Sequence, residues 1–145
     1  MSNAHGWATG PVSALSMYAV GMSQTSWVGR QWAVTPQPGD LRQAEGRLLL
    51  DGDSGYLVVS WVLDDANRMT LTVDPTALHA CPTAVGAIGV PMTNATTVVV
   101  NGKVAWANRA YQGGILGITS ADSEDGSYVF LRNVQPSHKF VIQTR

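Results

Sequence analysis

The stretch Val98-Val99-Val100-Asn101-Gly102-Lys103-Val104-Ala105-Trp106 carries the first structural decision. Two short runs of branched and aromatic residues flank an Asn-Gly pair, and both turn residues tolerate the positive φ of a two-residue type I′ hairpin. The same grammar extends to either side. Tyr56, Val58 and Ser60 alternate with Leu57, Val59 and Trp61, which puts Trp61 on one face with Leu57, Val59 and Leu63. Asp64-Asp65-Ala66-Asn67 supplies a turn into Met69–Val73, and Asp122–Gly126 leads into Ser127–Phe130. Further strand-like runs fall at Trp32–Val34, Arg47–Leu50, Val85–Val90, Ile115–Thr119 and Lys139–Thr144. About nine strands at this spacing predict a mainly β fold, an antiparallel β-sandwich or jelly roll.

One segment reads differently. Thr9 or Gly10 suits a helix cap, Pro11 the first helical position, and Val12, Leu15, Ala19 and Met22 recur at spacings of three and four before Gly21 can end the helix. Met1–Ala4 matches the residue of tag removal and serves no pattern. The expected organisation is therefore that residue (1–4), a helical and linking segment (5–30) and a β-sandwich (31–145), with no internal repeat.

Composition narrows the function classes. The chain has 145 residues, 45% hydrophobic and 13% charged, enough for one domain with a sizeable core. Nine basic against 10 acidic residues give a net charge of -1 with no basic cluster, which argues against nucleic-acid binding through phosphate neutralisation. No apolar run approaches the ~20 residues of a membrane span, and no leader precedes the pattern. A single cysteine, Cys81, excludes an internal disulfide and a thiolate cage for zinc.

His5-Gly6-Trp7-Ala8-Thr9-Gly10-Pro11-Val12-Ser13-Ala14-Leu15 with Tyr18, Val20 and Gly21 resembles the segment that closes the catalytic barrel of α-L-rhamnosidases of the glycoside hydrolase family 78 type. The resemblance continues through Trp32, Val34, Pro36–Leu41, Ala44-Glu45-Gly46, Gly55 and Val59-Ser60-Trp61, and thins beyond residue 61. It implies that residues 5–30 are the remnant of an (α/α) barrel's last helix and its linker, and that the rest is a C-terminal β-sandwich. It also implies that the parent hydrolyses terminal α-L-rhamnosides with inversion. That reaction needs two carboxyl groups ~6.5–9.5 Å apart, and in the family both lie upstream of the His-Gly-Trp motif. No catalytic residue is then expected in this chain, which would support the barrel mechanically.

By the same resemblance His5 and Trp7 are remnants of the rhamnose pocket. Tyr111, in a Gly-rich stretch, is the aromatic expected to be most exposed and able to stack on a sugar. Asn94-Ala95-Thr96 is a formal glycosylation acceptor. Glu45 and Glu124 read as surface residues, and His79 and Cys81 as a structural pair. Asp51–Gly55 and Asp122–Asp125 read as solvated turns, since neither completes a calcium loop. No metal or cofactor is expected. Partners would be the missing barrel and rhamnosylated glycans, or a second copy joined through residues 11–22; the resemblance favours an extracellular location. Two other readings remain open: an independent carbohydrate-binding module, and an unrelated oligomerisation module.

Overall fold

The computed structural model describes residues 13–26, 31–50, 55–78, 84–93 and 95–145. Within them twelve strands build two sheets: β1 (Met22–Gln24), β2 (Gln31–Val34), β3 (Gln43–Leu49), β4 (Tyr56–Leu63), β5 (Met69–Asp74), β6 (Val85–Pro91), β7 (Val98–Val100), β8 (Lys103–Ala107), β9 (Ala110–Tyr111), β10 (Ser120–Asp122), β11 (Tyr128–Val134) and β12 (Phe140–Thr144). The order is β1-β2-β6-β11-β10 in a five-stranded sheet and β3-β4-β5-β12-β7-β8-β9 in a seven-stranded one. The mainly β, sandwich-like fold is as expected, in more and shorter strands. Its pairs are antiparallel apart from β2 with β6, which run parallel with Trp32 opposite Gly86.

Alternation explains the core. On β4, Leu57, Val59 and Trp61 are buried while Tyr56 and Val62 face outward. On β5 it is Met69, Leu71 and Val73 that turn inward. These meet Trp32, Val34, Ile88, Val90, Val129 and Leu131 from the other sheet in one cluster, so each sheet hides the apolar face of the other. Trp32 lies across Gly86, where an added Cβ would stand only 2.2 Å from its ring carbon Cζ2. Its indole nitrogen is buried with no hydrogen-bond partner among the described residues.

The Asn101-Gly102 hairpin forms as read, with φ of 48° and 81°. Asn101 also reaches β12, its side-chain oxygen accepting from the Val141 N–H at 2.8 Å and its amide donating to the Lys139 carbonyl at 3.1 Å. The Asp64–Asn67 turn is equally self-made: Asp64 accepts the backbone N–H groups of Ala66 and Arg68, both at 2.9 Å.

Two expectations are corrected. Ile115–Thr119 is not a strand: Ile115 and Ile118 are both buried, a spacing of three that a turn at Leu116-Gly117 creates through the Ile118 N–H to Ile115 carbonyl bond. The described part of the helix runs through Ser13-Ala14 and is π-wound over Leu15–Val20, and Gly21 ends it at φ 85° with its N–H on the Ser16 carbonyl. Met22 therefore opens β1 instead of extending the helical stripe, and Leu15 is 60% exposed. Pro11 and Val12 lie outside the described residues. What docks on the sandwich is the end of the segment: Val20 and Met22 are buried, and the Ala19 carbonyl accepts the Trp61 indole N–H at 2.9 Å. Gly46 on β3 permits this approach, since a Cβ there would meet the Met22 terminal methyl at 2.7 Å.

Candidate functional site

Connections belonging to both sheets gather at one end of the sandwich. β6 ends there and β7 begins, so the chain crosses from one sheet to the other through residues 92–97. The β8–β9 turn and the β10–β11 loop lie beside this crossing. Together they enclose a cleft of about 680 Å³ with Trp106, Met92 and Val129 as apolar walls and Arg109, Glu124 and Asp125 among its polar lining.

Each wall is held by its own hydrogen bonds. The crossing is pinned by Thr96 and Thr97 N–H groups to the Arg145 carbonyl and by the Arg145 N–H to the Thr97 carbonyl, each at 2.9 Å. The Met92 N–H donates to the Ser127 carbonyl at 2.8 Å and ties the crossing to the neighbouring loop. In that loop the Ser123 hydroxyl donates to the Tyr128 carbonyl, and Asp125 accepts the Ser127 N–H at 2.9 Å and its hydroxyl at 2.6 Å. These bonds leave Glu124 exposed at the tip. On the opposite wall Asn108 and Arg109 form a second two-residue turn with φ of 53° and 59°. The Gln112 side chain buttresses it by donating to the Ala107 and Ala110 carbonyls. A positive φ is uncommon for arginine, which is why this hairpin was not legible beforehand.

The electrostatics set Asp64, Asp122 and Asp125 apart from an acid role. Hydrogen bonds from the Ser127 hydroxyl and N–H hold Asp125 below the usual carboxylate range. Asp122 is lowered chiefly by its hydrogen bonds with Arg132, a two-pronged contact at 2.8 and 2.9 Å. Outside the cleft, Asp64 is lowered first by the Arg68 backbone N–H, then by the Arg68 side chain. A general acid at neutral pH requires the opposite shift.

Other predicted site residues are scattered. His5, Trp7, His79, Cys81, Asn94 and Asp51–Ser54 lie outside the described residues. Tyr111 is half-buried on β9, packs against the core and donates its hydroxyl to the Ile118 carbonyl at 3.0 Å. The more exposed aromatics are Tyr18 at 57% and Tyr56 at 49%. Glu45 is exposed on β3 opposite Ser60. Tyr128 and Phe130 stack at 5.9 Å on β11, and the Arg132 guanidinium covers Phe130 at 4.8 Å. Partnered by its own neighbours, that ring is poorly placed to receive a ligand. A smaller cleft of about 370 Å³ is lined by Asp64 and Arg68, which already form an ion pair at 2.8 Å. Among the described residues no group of three or more His, Cys, Asp or Glu is placed to hold a metal.

No family model matches the chain, and no curated protein matches it. Among solved structures the chain is similar to an α-L-rhamnosidase from Dictyoglumus thermophilum, with a TM-score of 0.67 at 16% identity. The likeness covers 94% of this chain and 13% of that one. The described sandwich therefore has a rhamnosidase-related fold, spanning a small part of the length of the protein it resembles.

Proposed function

We propose that this chain is a C-terminal β-sandwich module of an α-L-rhamnosidase-like glycosidase, supporting the catalytic barrel and holding no catalytic residue itself. The observation that carries the reading is the likeness itself: nearly the whole chain corresponds to a small fraction of an α-L-rhamnosidase. Two further facts support it. Among the described residues, each carboxylate with a clear shift is held in the ionised direction. Leu15, Met17 and Tyr18 are all more than half exposed on the helical turn, and clustered apolar side chains of this kind mark a face that packs against something else.

In this reading His5 and Trp7 belong to the rim of the rhamnose pocket, and the exposed trio packs against the barrel. The opposed acids of inverting hydrolysis reside on that barrel. The chain alone is expected to leave an aryl α-L-rhamnoside unhydrolysed. Turnover abolished by Glu45→Gln or Glu124→Gln would overturn the non-catalytic assignment. The genomic reading frame immediately upstream tests the rest: an encoded (α/α) barrel supports it, while a stop codon or an unrelated domain overturns it.

A further inference from the structure

The cleft at the end of the sandwich has features that a supporting role does not require. It is walled by three connections from both sheets, whose described residues make their own hydrogen bonds, and its volume of about 680 Å³ falls within the ~300–1,000 Å³ typical of small-molecule sites. Its interior is of two kinds. Met92 and the narrow exposed edge of Trp106, 8% accessible, offer apolar surface over the buried Val129, while the Arg109 guanidinium and the Glu124 carboxylate line it without a hydrogen bond or ion pair among the described residues.

These features discriminate between ligand classes. An apolar ligand would desolvate the guanidinium and the carboxylates without replacing their hydrogen bonds, at a cost that its contacts with Trp106 and Met92 do not offset. An anion faces two carboxylates, Glu124 and Asp125, against one guanidinium. A metal ion finds Asp125 already accepting from Ser127, and the nearby Asp122 already engaged by Arg132. A neutral polyol meets none of these objections. Each hydroxyl both donates and accepts, so the Glu124 carboxylate can take a hydroxyl proton while Arg109 donates to a hydroxyl oxygen, and the C–H face of a sugar ring lies on the apolar wall.

We propose that this cleft binds a neutral saccharide, with Arg109 and Glu124 as its polar anchors and Trp106 and Met92 as its floor. The inference goes beyond the supporting role and is argued from the cleft alone. It is tested by titrating the isotopically labelled chain with neutral mono-, di- and trisaccharides and, in a separate arm, with uronic acids while following its amide and indole NMR signals. The expected result is saturable shifts at Thr96, Trp106, Arg109 and Gly126. Affinity should fall about tenfold in Arg109→Gly and in Glu124→Gln, the equivalent of one charge-assisted hydrogen bond each, and be unchanged in Arg68→Ala in the smaller cleft. Glycine accepts the positive φ at position 109, so that variant keeps the turn. Absence of shifts with every sugar overturns the inference, as do shifts that both variants leave intact or that only acidic sugars produce. None of those failures touches the proposed supporting role, which has its own test in the upstream reading frame.

Discussion

Replacing Gly86 with alanine probes the packing on which the sandwich turns. Gly86 and Trp32 are direct partners on the parallel strands β6 and β2, and the indole occupies the space a side chain would need. A Cβ at Gly86 would lie 2.2 Å from Cζ2 and 2.3 Å from Cε2 and Cη2, where carbon atoms normally rest ~3.5–4.0 Å apart. The ring must then move by more than about 1 Å in a core packed as densely as a crystal, and at 1% exposure it has no free space to enter. Overpacking of this kind costs about 1–3 kcal/mol, and a rigid ring belongs at the upper end. The backbone gain from replacing glycine within a strand, roughly 0.5–1 kcal/mol, opposes it. A net loss of about 2 kcal/mol is expected, seen as a lower urea midpoint with an unchanged slope and a melting temperature reduced by roughly 6 °C. Trp32→Ala alone should cost about 3–5 kcal/mol through its cavity. The double variant should cost about 3 kcal/mol less than the sum, because the clash vanishes and the backbone gain stays, a coupling at the top of the range for contacting residues. Additive losses, or a Gly86→Ala protein as stable as the parent, would refute the clash.

Gly46→Val is expected to lift the helical turn from the sheet at a cost of about 1–3 kcal/mol, because its branches would press on Met22 and Val20; faster hydrogen exchange at the Trp61 indole N–H, now bonded to Ala19, would report it. Gly46→Ala should be nearly neutral, since the contacting atom is the flexible end of Met22. Tyr128→Phe removes the 2.8 Å bond to the Pro36 carbonyl and should cost about 1 kcal/mol by denaturant titration. On the acid side, Asp64, Asp122 and Asp125 are lowered from 3.8. Their contribution is therefore complete above that pH and lost as pH falls through the folded values, and Asp122→Asn should make the acid limb shallower. On the alkaline side, burial raises Tyr128 above 10.0, so its contribution is complete below that value and lost as pH rises past it. Tyr128→Phe should flatten that limb.

What was legible beforehand depended on how local the cause was. The Asn101-Gly102 hairpin is written into two adjacent residues whose backbone preference matches the turn. The Trp61 face follows from alternation within one strand. The Asn108-Arg109 hairpin has the same geometry but not the same residues; its turn is sustained by Gln112 from outside. Ile115 and Ile118 looked like strand residues because burial and strand propensity draw on the same side chains, and only the packed structure separates the two. The parallel pairing of β2 with β6, and the place of β12 between β5 and β7, depend on contacts between distant segments that no periodicity records.

The cleft belongs to the same non-local class, which explains why single aromatic residues were poor guides to it. Its described lining comes from residues 92 and 95–97, from 106, 108 and 109, and from 123–126 and 129, segments brought to one end because β6 and β7 lie in different sheets. Tyr111 is aromatic and closely followed by Gly113-Gly114, yet β9 pairs it with Trp106 and its hydroxyl is bonded to the Ile118 carbonyl. Arg109 drew no attention because an isolated surface arginine is the least informative of residues. Its place in the same cleft lining as Glu124 arises from the hairpin that turns it toward the crossing. A rigid two-sheet frame with short, internally hydrogen-bonded connections can vary those connections at little cost to the core. Binding chemistry can therefore arise at the loop end of a sandwich whose strands do nothing but hold it in place.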